Sequence, residues 1–110
     1  MILDQLKSKV FDYQKAGDNL RLGVLRFVLS EIKYKEIELR SQKQEITDEI
    51  AFKVLRKQIK NTREALDTAE KANRSDLAIK HKDELAVLDE YAKLFPFDLN
   101  LDGRPANANQ

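Results

Sequence analysis

The sequence predicts an all-α protein, a four-helix antiparallel domain followed by a short irregular C-terminal tail. Two observations lead to this prediction. Apolar residues recur at spacings of three and four from residue 2 to about 94, and only three Gly and two Pro occur in 110 residues. The expected helices span about 2–16, 19–40, 48–72 and 76–94, and short connectors favour antiparallel neighbours. We therefore expect one helical domain over 1–96 and a polar tail over 97–110.

The first two expected helices are separated by a turn at Gly17, a favourable C-cap, and Asp18, a favourable N-cap. The second helix carries two apolar arcs, which predicts two packing neighbours and a central position. Gly23 and Ser30 would permit a close approach along one seam. The apolar face of the first helix contains Ile2, Leu3, Leu6, Val10 and Tyr13. The arcs of the second contain Leu22, Leu25, Val28, Leu29 and Ile32 on one side, and Leu20, Val24, Phe27 and Tyr34 on the other.

Capping residues also delimit the third and fourth helices. Thr47 is an expected N-cap, followed by acidic residues that favour the first turn of a helix. Ser75 is the expected cap of the fourth helix, and Pro96 stops its propagation. The apolar seam of the third helix contains Ala51, Leu55, Ile59, Thr62, Leu66 and Ala69. The main apolar face of the fourth contains Leu77, His81, Leu85, Leu88, Ala92 and Phe95.

The composition excludes several functional classes. The chain has no Cys, which removes disulfides, thiolate metal sites and thiol catalysis, so we expect a cytoplasmic protein. No uncharged apolar run approaches the roughly 20 residues of a membrane span, and no signal peptide is apparent, so we expect no membrane partner. The net charge is only +1, so any attraction to nucleic acid must come from a local concentration of charge.

Residues that could perform catalysis are scarce. His81 is the single histidine and shares a helix face with leucines, which favours a histidine at the edge of the core. Adjacent acids such as Asp83 and Glu84 diverge by about 100° on a helix and cannot converge on a substrate. Widely separated glycines exclude phosphate-binding glycine loops. We predict no catalytic residue and no cofactor.

One segment of the tail resembles half of a calcium loop. Asp98, Asn100 and Asp102 precede Gly103 at the spacing of an EF-hand. Asn109 stands where the bidentate Glu is required, and no exiting helix follows. A turn built from Asp, Asn and Gly accounts for the same residues, so no metal site is predicted.

The third helix contains the strongest local feature, a cluster of positive charge that we call the basic ridge. Residues 50–63 contain five cations and no acid, and the five lie within about 120° of arc opposite the apolar seam. Such a ridge could follow a phosphate backbone over about 15 Å without reading base sequence. The alternative is an ordinary solvated face, since Glu64 and Asp67 extend the same side. The basic ridge consists of Lys53, Arg56, Lys57, Lys60 and Arg63.

The fourth helix carries apolar residues on a second side. Ile79, Val87 and Leu94, with Ala86, lie away from its main apolar face. These residues are candidates for contact with another part of the fold, a second copy of the chain or a different protein. Scattered surface apolar residues are the ordinary alternative.

Several segments occur in an order that identifies a family. The chain resembles the N-terminal part of the YqeY-like family (GatB/YqeY domain) over about residues 1–96. The segments that carry the resemblance are Asp18–Lys33 (DNLRLGVLRFVLSEIK), Glu36–Leu39, Ile46–Glu49, Val54–Ala65 (VLRKQIKNTREA), Ala69–Leu77 and Glu84–Tyr91.

The resemblance implies a helical domain related to the tail of the B subunit of glutamine-dependent aspartyl/glutamyl-tRNA amidotransferase, and to an N-terminal extension of some glutaminyl-tRNA synthetases. The implied partners are tRNA and an amidotransferase or tRNA-synthetase complex. The family label is carbon–nitrogen ligase activity with glutamine as amido-N-donor, for which this chain holds no suitable residues. Full-length members continue with a further small helical subdomain, so this chain is either a short member or a shortened one. The competing interpretation is a protein-interaction or self-associating module.

Overall fold

The computed structural model describes residues 1–97 and confirms the all-α prediction. Its four helices are α1 (Ile2–Ala16), α2 (Asn19–Ser41), α3 (Asp48–Lys71) and α4 (Ser75–Ala92). The expected boundaries differ from these by at most two residues. The calcium-like motif at 98–103 and the rest of the expected tail lie outside the described residues.

Three of the four expected caps form. Gly17 adopts a left-handed conformation with φ 69°, which ends α1. The Asp18 carboxylate accepts a hydrogen bond from the Arg21 N–H at 3.1 Å, and the Thr47 hydroxyl accepts one from the Ile50 N–H at 3.2 Å. The expectation for Ser75 is wrong. Ser75 is the first residue of α4, and the preceding Arg74 makes no side-chain cap.

The core is centred on an antiparallel pair formed by α3 and α4. At one end of the pair, the Phe52 ring lies 5.4 Å from the Phe95 ring, and at the other Lys82 lies 3.9 Å from Glu70. Helices α1 and α2 pack on this pair, and α2 contacts all three other helices. The buried cluster contains Leu3, Leu6, Leu25, Val28, Ile32, Ala51, Phe52, Leu55, Ile59, Val87, Leu88, Tyr91, Ala92 and Phe95.

The core extends one residue past the expected end of the domain. The Phe97 ring lies 5.5 Å from Phe52 and packs against the buried cluster. The assignment of Phe97 to a polar tail is therefore corrected. Aromatic rings bury a large area each, so Phe97 remains attached to the core although Pro96 precludes a continuing helix.

An arginine joins the start of α2 to the end of α4. Arg21 donates to both carboxylate oxygens of Glu90, at 3.0 and 2.6 Å, and to Asp18 at 3.0 Å. The buried Tyr91 hydroxyl donates to the Arg21 carbonyl oxygen at 3.3 Å. The Arg21 guanidinium lowers the pKa of Glu90, and burial raises the pKa of Tyr91. These bonds fix the position of α2 against α4.

A second polar link joins the N-termini of α1 and α3. The Asp48 carboxylate accepts hydrogen bonds from the backbone N–H groups of Ile2 and Leu3, at 3.2 and 3.3 Å. These donors have no partner within α1 because they belong to its first turn. The acid at the start of α3 thus satisfies two free N–H groups of α1.

Helix α2 has the expected packing neighbours, since it contacts all three other helices, but most of its second arc is not buried against them. Leu25, Val28 and Ile32 are buried, whereas Leu20, Phe27 and Tyr34 of the second arc are 43%, 56% and 67% exposed. Val24 of the second arc packs against the core. Phe27 borders a small cleft that α2 shares with Gln58 of α3 and Leu88 of α4, but its ring stays largely exposed.

We expect the substitution Leu55→Ala to lower the free energy of unfolding by about 2–5 kcal/mol, because the Leu55 side chain is fully buried and its removal leaves a cavity. Urea denaturation followed by circular dichroism measures this loss. The matched control on the same helix is Lys60→Ala, which removes an exposed side chain and should change stability by no more than about 0.5 kcal/mol. Equal losses in the two variants would contradict the described packing of α3.

The Arg21–Glu90 ion pair predicts a pH dependence. Because the pKa of Glu90 lies below its ordinary 4.5, its stabilising contribution is present above that value and is lost as the pH falls through the lowered pKa. The wild type should therefore exceed Glu90→Gln in unfolding free energy near neutral pH, and this difference should shrink in acid. Asp18 is present in both proteins, so its own titration contributes almost equally to both unfolding free energies and largely cancels in their difference. A difference that does not vary with pH would contradict the prediction.

Candidate nucleic-acid interface

The basic ridge lies on the outer side of α3. Ala51 and Leu55 are fully buried and Ile59 is 1% exposed, so the opposite side of the helix faces solvent. Lys57, Lys60 and Arg63 are exposed and form no ion pair within residues 1–97. These three positive charges are available to an external anion.

The other two cations of the ridge are less available. Lys53 is exposed but lies 3.8 Å from the Glu49 carboxylate, one turn earlier on α3. Arg56 is half-buried, and its Nη1 atom is buried without a hydrogen-bond partner in the described part of the chain. The sequence grouped all five cations, but the structure makes Lys57, Lys60 and Arg63 the most accessible.

A groove of about 580 Å³ runs between the ridge and α2. Lys53 and Lys57 line its α3 wall, and Glu31 and Glu38 line its α2 wall. The Glu38 carboxylate lies 3.3 Å from Lys35, whereas Glu31 has no ion pair within residues 1–97. Acids on the far wall repel a polyanion, so the favoured approach is to the outward face of α3.

The cations of the basic ridge form a row along one side of α3. Lys53 and Arg63 are ten residues apart, about 15 Å along a helix, so the cations could follow several phosphates of one strand. His81 lies half-buried on α4, where its Nδ1 is 2.8 Å from Glu84 Oε1. No cluster of three or more metal-binding side chains occurs among residues 1–97.

The expected second apolar side of α4 does not form a surface patch. Val87 is 2% exposed and belongs to the core, and Leu94 packs against it, whereas Ile79 is 61% exposed. Val87 belongs to the buried cluster, and α4 contacts both α3 and α2. Val87 is therefore removed from the candidate contact residues.

The exposed apolar surface of α2 was not predicted from the sequence. Helical periodicity identifies which residues share a face, but it does not show whether a neighbouring helix covers that face.

None of the helices in residues 1–97 combines the length and the hydropathy of a membrane span.

Comparison with known proteins places the chain in a family. Residues 3–100 match the family described as Yqey-like protein. The chain is 32% identical over 91 residues to altered inheritance of mitochondria protein 41, mitochondrial, of Kluyveromyces lactis, a match that covers 83% of this chain and 48% of that protein. It is 31% identical over 86 residues to an uncharacterized protein of Schizosaccharomyces pombe, covering 78% of this chain and 68% of the relative. The chain thus spans about half the length of the first relative and two thirds of the second. The chain belongs to the YqeY-like family.

Proposed function

We propose that the chain is a non-catalytic helical domain that binds the phosphate backbone of tRNA through the basic ridge. The observation that carries the proposal is the exposure of Lys57, Lys60 and Arg63 on one side of α3, with no acid partner within residues 1–97. Contacts of this kind give an affinity that depends on salt and hardly on base sequence.

The choice of tRNA rests on the family resemblance. Domains similar to this one are attached to tRNA amidotransferases and tRNA synthetases, where another domain performs the chemistry. An adaptor that holds tRNA needs surface cations and no reactive group, which agrees with the residues of α3. Association with such an enzyme complex, and a cytoplasmic location, are parts of the same proposal.

The competing function is a protein-interaction module in which the ridge is only a solvated face. The exposed arc of α2 favours this alternative, because an apolar surface of that kind commonly contacts another protein. Binding of tRNA at low salt separates the two functions.

The triple substitution Lys57→Ala, Lys60→Ala and Arg63→Ala should weaken tRNA binding and flatten its salt dependence. Each lost phosphate contact lowers the slope of log affinity against log salt by about 0.7–0.9, so the slope should fall by up to about 2–3. Fluorescence anisotropy with labelled tRNA at several salt concentrations measures both quantities.

A second triple variant provides the matched control. Lys7→Ala, Lys80→Ala and Lys93→Ala removes three exposed positive charges from α1 and the α4 region, so the net charge changes by the same amount. This variant should keep most of the affinity. The single variant Arg56→Met should also bind almost normally, because the Arg56 side chain is half-buried. Absence of wild-type binding at low salt, or equal losses in the two triple variants, would overturn the proposal.

A further inference from the structure

We propose that the exposed arc of α2 joins two copies of this chain in a parallel, two-fold symmetric dimer. The contact surface, here called the α2 seam, consists of six residues that recur in alternating steps of three and four. The α2 seam contains Leu20, Gly23, Phe27, Ser30, Tyr34 and Ile37.

The α2 seam lies on the side of the helix opposite the core. Leu25, Ile32 and Leu39 are 0%, 1% and 5% exposed and mark the core side. Phe27 and Ile37, about half a turn away, are 56% and 50% exposed. Alternating steps of three and four place residues along the line that a second helix contacts in a two-helix coiled coil. The seam therefore has the spacing of a helix-pairing surface. Its large residues remain largely exposed, although Gly23 and Phe27 border a small cleft shared with α3 and α4.

The glycine at position 23 is an argument for contact with another chain. A glycine in the interior of a helix destabilises it relative to alanine, so some contact usually requires the missing side chain. A Cβ atom added at Gly23 would meet nothing within 4 Å, so the fold of the described residues does not require glycine there. Gly23 and Ser30 alternate with larger residues along the seam, which leaves room above and below Phe27 for the matching ring of a second helix.

The charges beside the seam identify the partner as a second copy and fix its direction. Arg26 and Lys33 flank one side, and Glu31 and Glu38 flank the other. In a parallel, in-register pair, Arg26 faces the partner's Glu31 and Lys33 faces the partner's Glu38, on both sides of the interface. An antiparallel pair would instead place like charges opposite one another. Arg26, Lys33 and Glu31 have no ion pair within residues 1–97 and are available, whereas Glu38 lies 3.3 Å from Lys35 of its own chain and would exchange or share that contact.

Other candidates on the surface are weaker. The groove between α2 and α3 carries charges of both signs, with Glu31, Lys35 and Glu38 on the α2 wall and bases on the α3 wall, and selects no ligand. Ile79 is exposed singly, without apolar neighbours that would extend it into a patch. Among the surfaces of residues 1–97, only the α2 seam combines exposure, helix-pairing spacing, a glycine without an internal role and complementary charge.

Charge reversal tests the proposal in the absence of RNA. Sedimentation equilibrium of the full chain should show a monomer–dimer equilibrium that shifts towards dimer at higher concentration. The double variant Arg26→Glu and Lys33→Glu places acids opposite acids and should weaken the dimer by about tenfold or more. Adding Glu31→Lys and Glu38→Lys to the same chain restores complementarity and should restore the dimer. Circular dichroism verifies that each variant keeps its helices.

Cysteine cross-linking tests the direction and does not depend on the charge variants. The wild type has no Cys, so Ile37→Cys introduces a single thiol on the seam. In a parallel dimer the two introduced thiols face each other and should form an intermolecular disulfide on mild oxidation. A mixture of Ile37→Cys and Leu20→Cys should form little cross-link between the two variants. The control Ile79→Cys places a thiol at an equally exposed position on α4 and should not cross-link at the same concentration.

Several results would overturn the dimer. A wild-type chain that remains monomeric at every concentration leaves the seam to a different protein and refutes the proposal. Efficient cross-linking between positions 20 and 37 shows an antiparallel pair, and a double charge variant that dimerises as well as the wild type removes the charge argument. None of these results bears on tRNA binding by α3, so the two proposals can fail separately.

Discussion

Burial of one face of α3 fixes the position of the positive charge on this molecule. Ala51, Leu55 and Ile59 lie in the core with at most 1% exposure. Because successive residues of an α-helix differ by a constant 100°, placing these three side chains inside determines where the other residues point. The cations of the ridge occupy the opposite side. The interface proposed for RNA is therefore a direct consequence of how the core is packed.

Burial of one face also orients α2, but the opposite face of α2 is apolar and not charged. The core side of α2 is occupied by Leu25, Val28 and Ile32, and its opposite side is apolar where that of α3 is charged. Within residues 1–97, α2 contacts α1, α3 and α4, yet Leu20, Phe27, Tyr34 and Ile37 on its other side remain largely exposed. The described part of the molecule thus has a basic surface on one helix and an apolar surface on another, which suits a domain that joins two kinds of partner.

Two polar contacts, in addition to the apolar core, link the helices to one another. Arg21 connects α2 to Glu90 across 69 residues of sequence, and Asp48 caps α1 from the start of α3. Both contacts lie at helix ends, where backbone groups lack intrahelical partners and side chains must orient neighbouring helices. They determine which faces of α1, α2 and α3 meet, and thereby which surfaces remain open.

The sequence predicted what is local and periodic. Helix positions, the caps at Gly17, Asp18 and Thr47, and the separation of the α3 cations from its apolar seam all follow from spacing within one helix. The errors concern pairing between helices. Periodicity could not show that Val87 is buried in the core or that Phe27 is left 56% exposed. The contacts of Arg21 and Phe97 join residues that are distant in sequence, and spacing within one helix carries no information about them.

Nuclear magnetic resonance mapping on the isotopically labelled chain tests most directly whether tRNA binds to the basic ridge of α3. When tRNA is added in low salt, the largest chemical-shift changes should occur in residues 53–63 of α3, with the strongest at Lys57, Lys60 and Arg63. These changes should decrease as salt is added. Shifts confined to α1, α2 or α4 with α3 unchanged, or no shifts at all, would contradict binding of tRNA to the basic ridge.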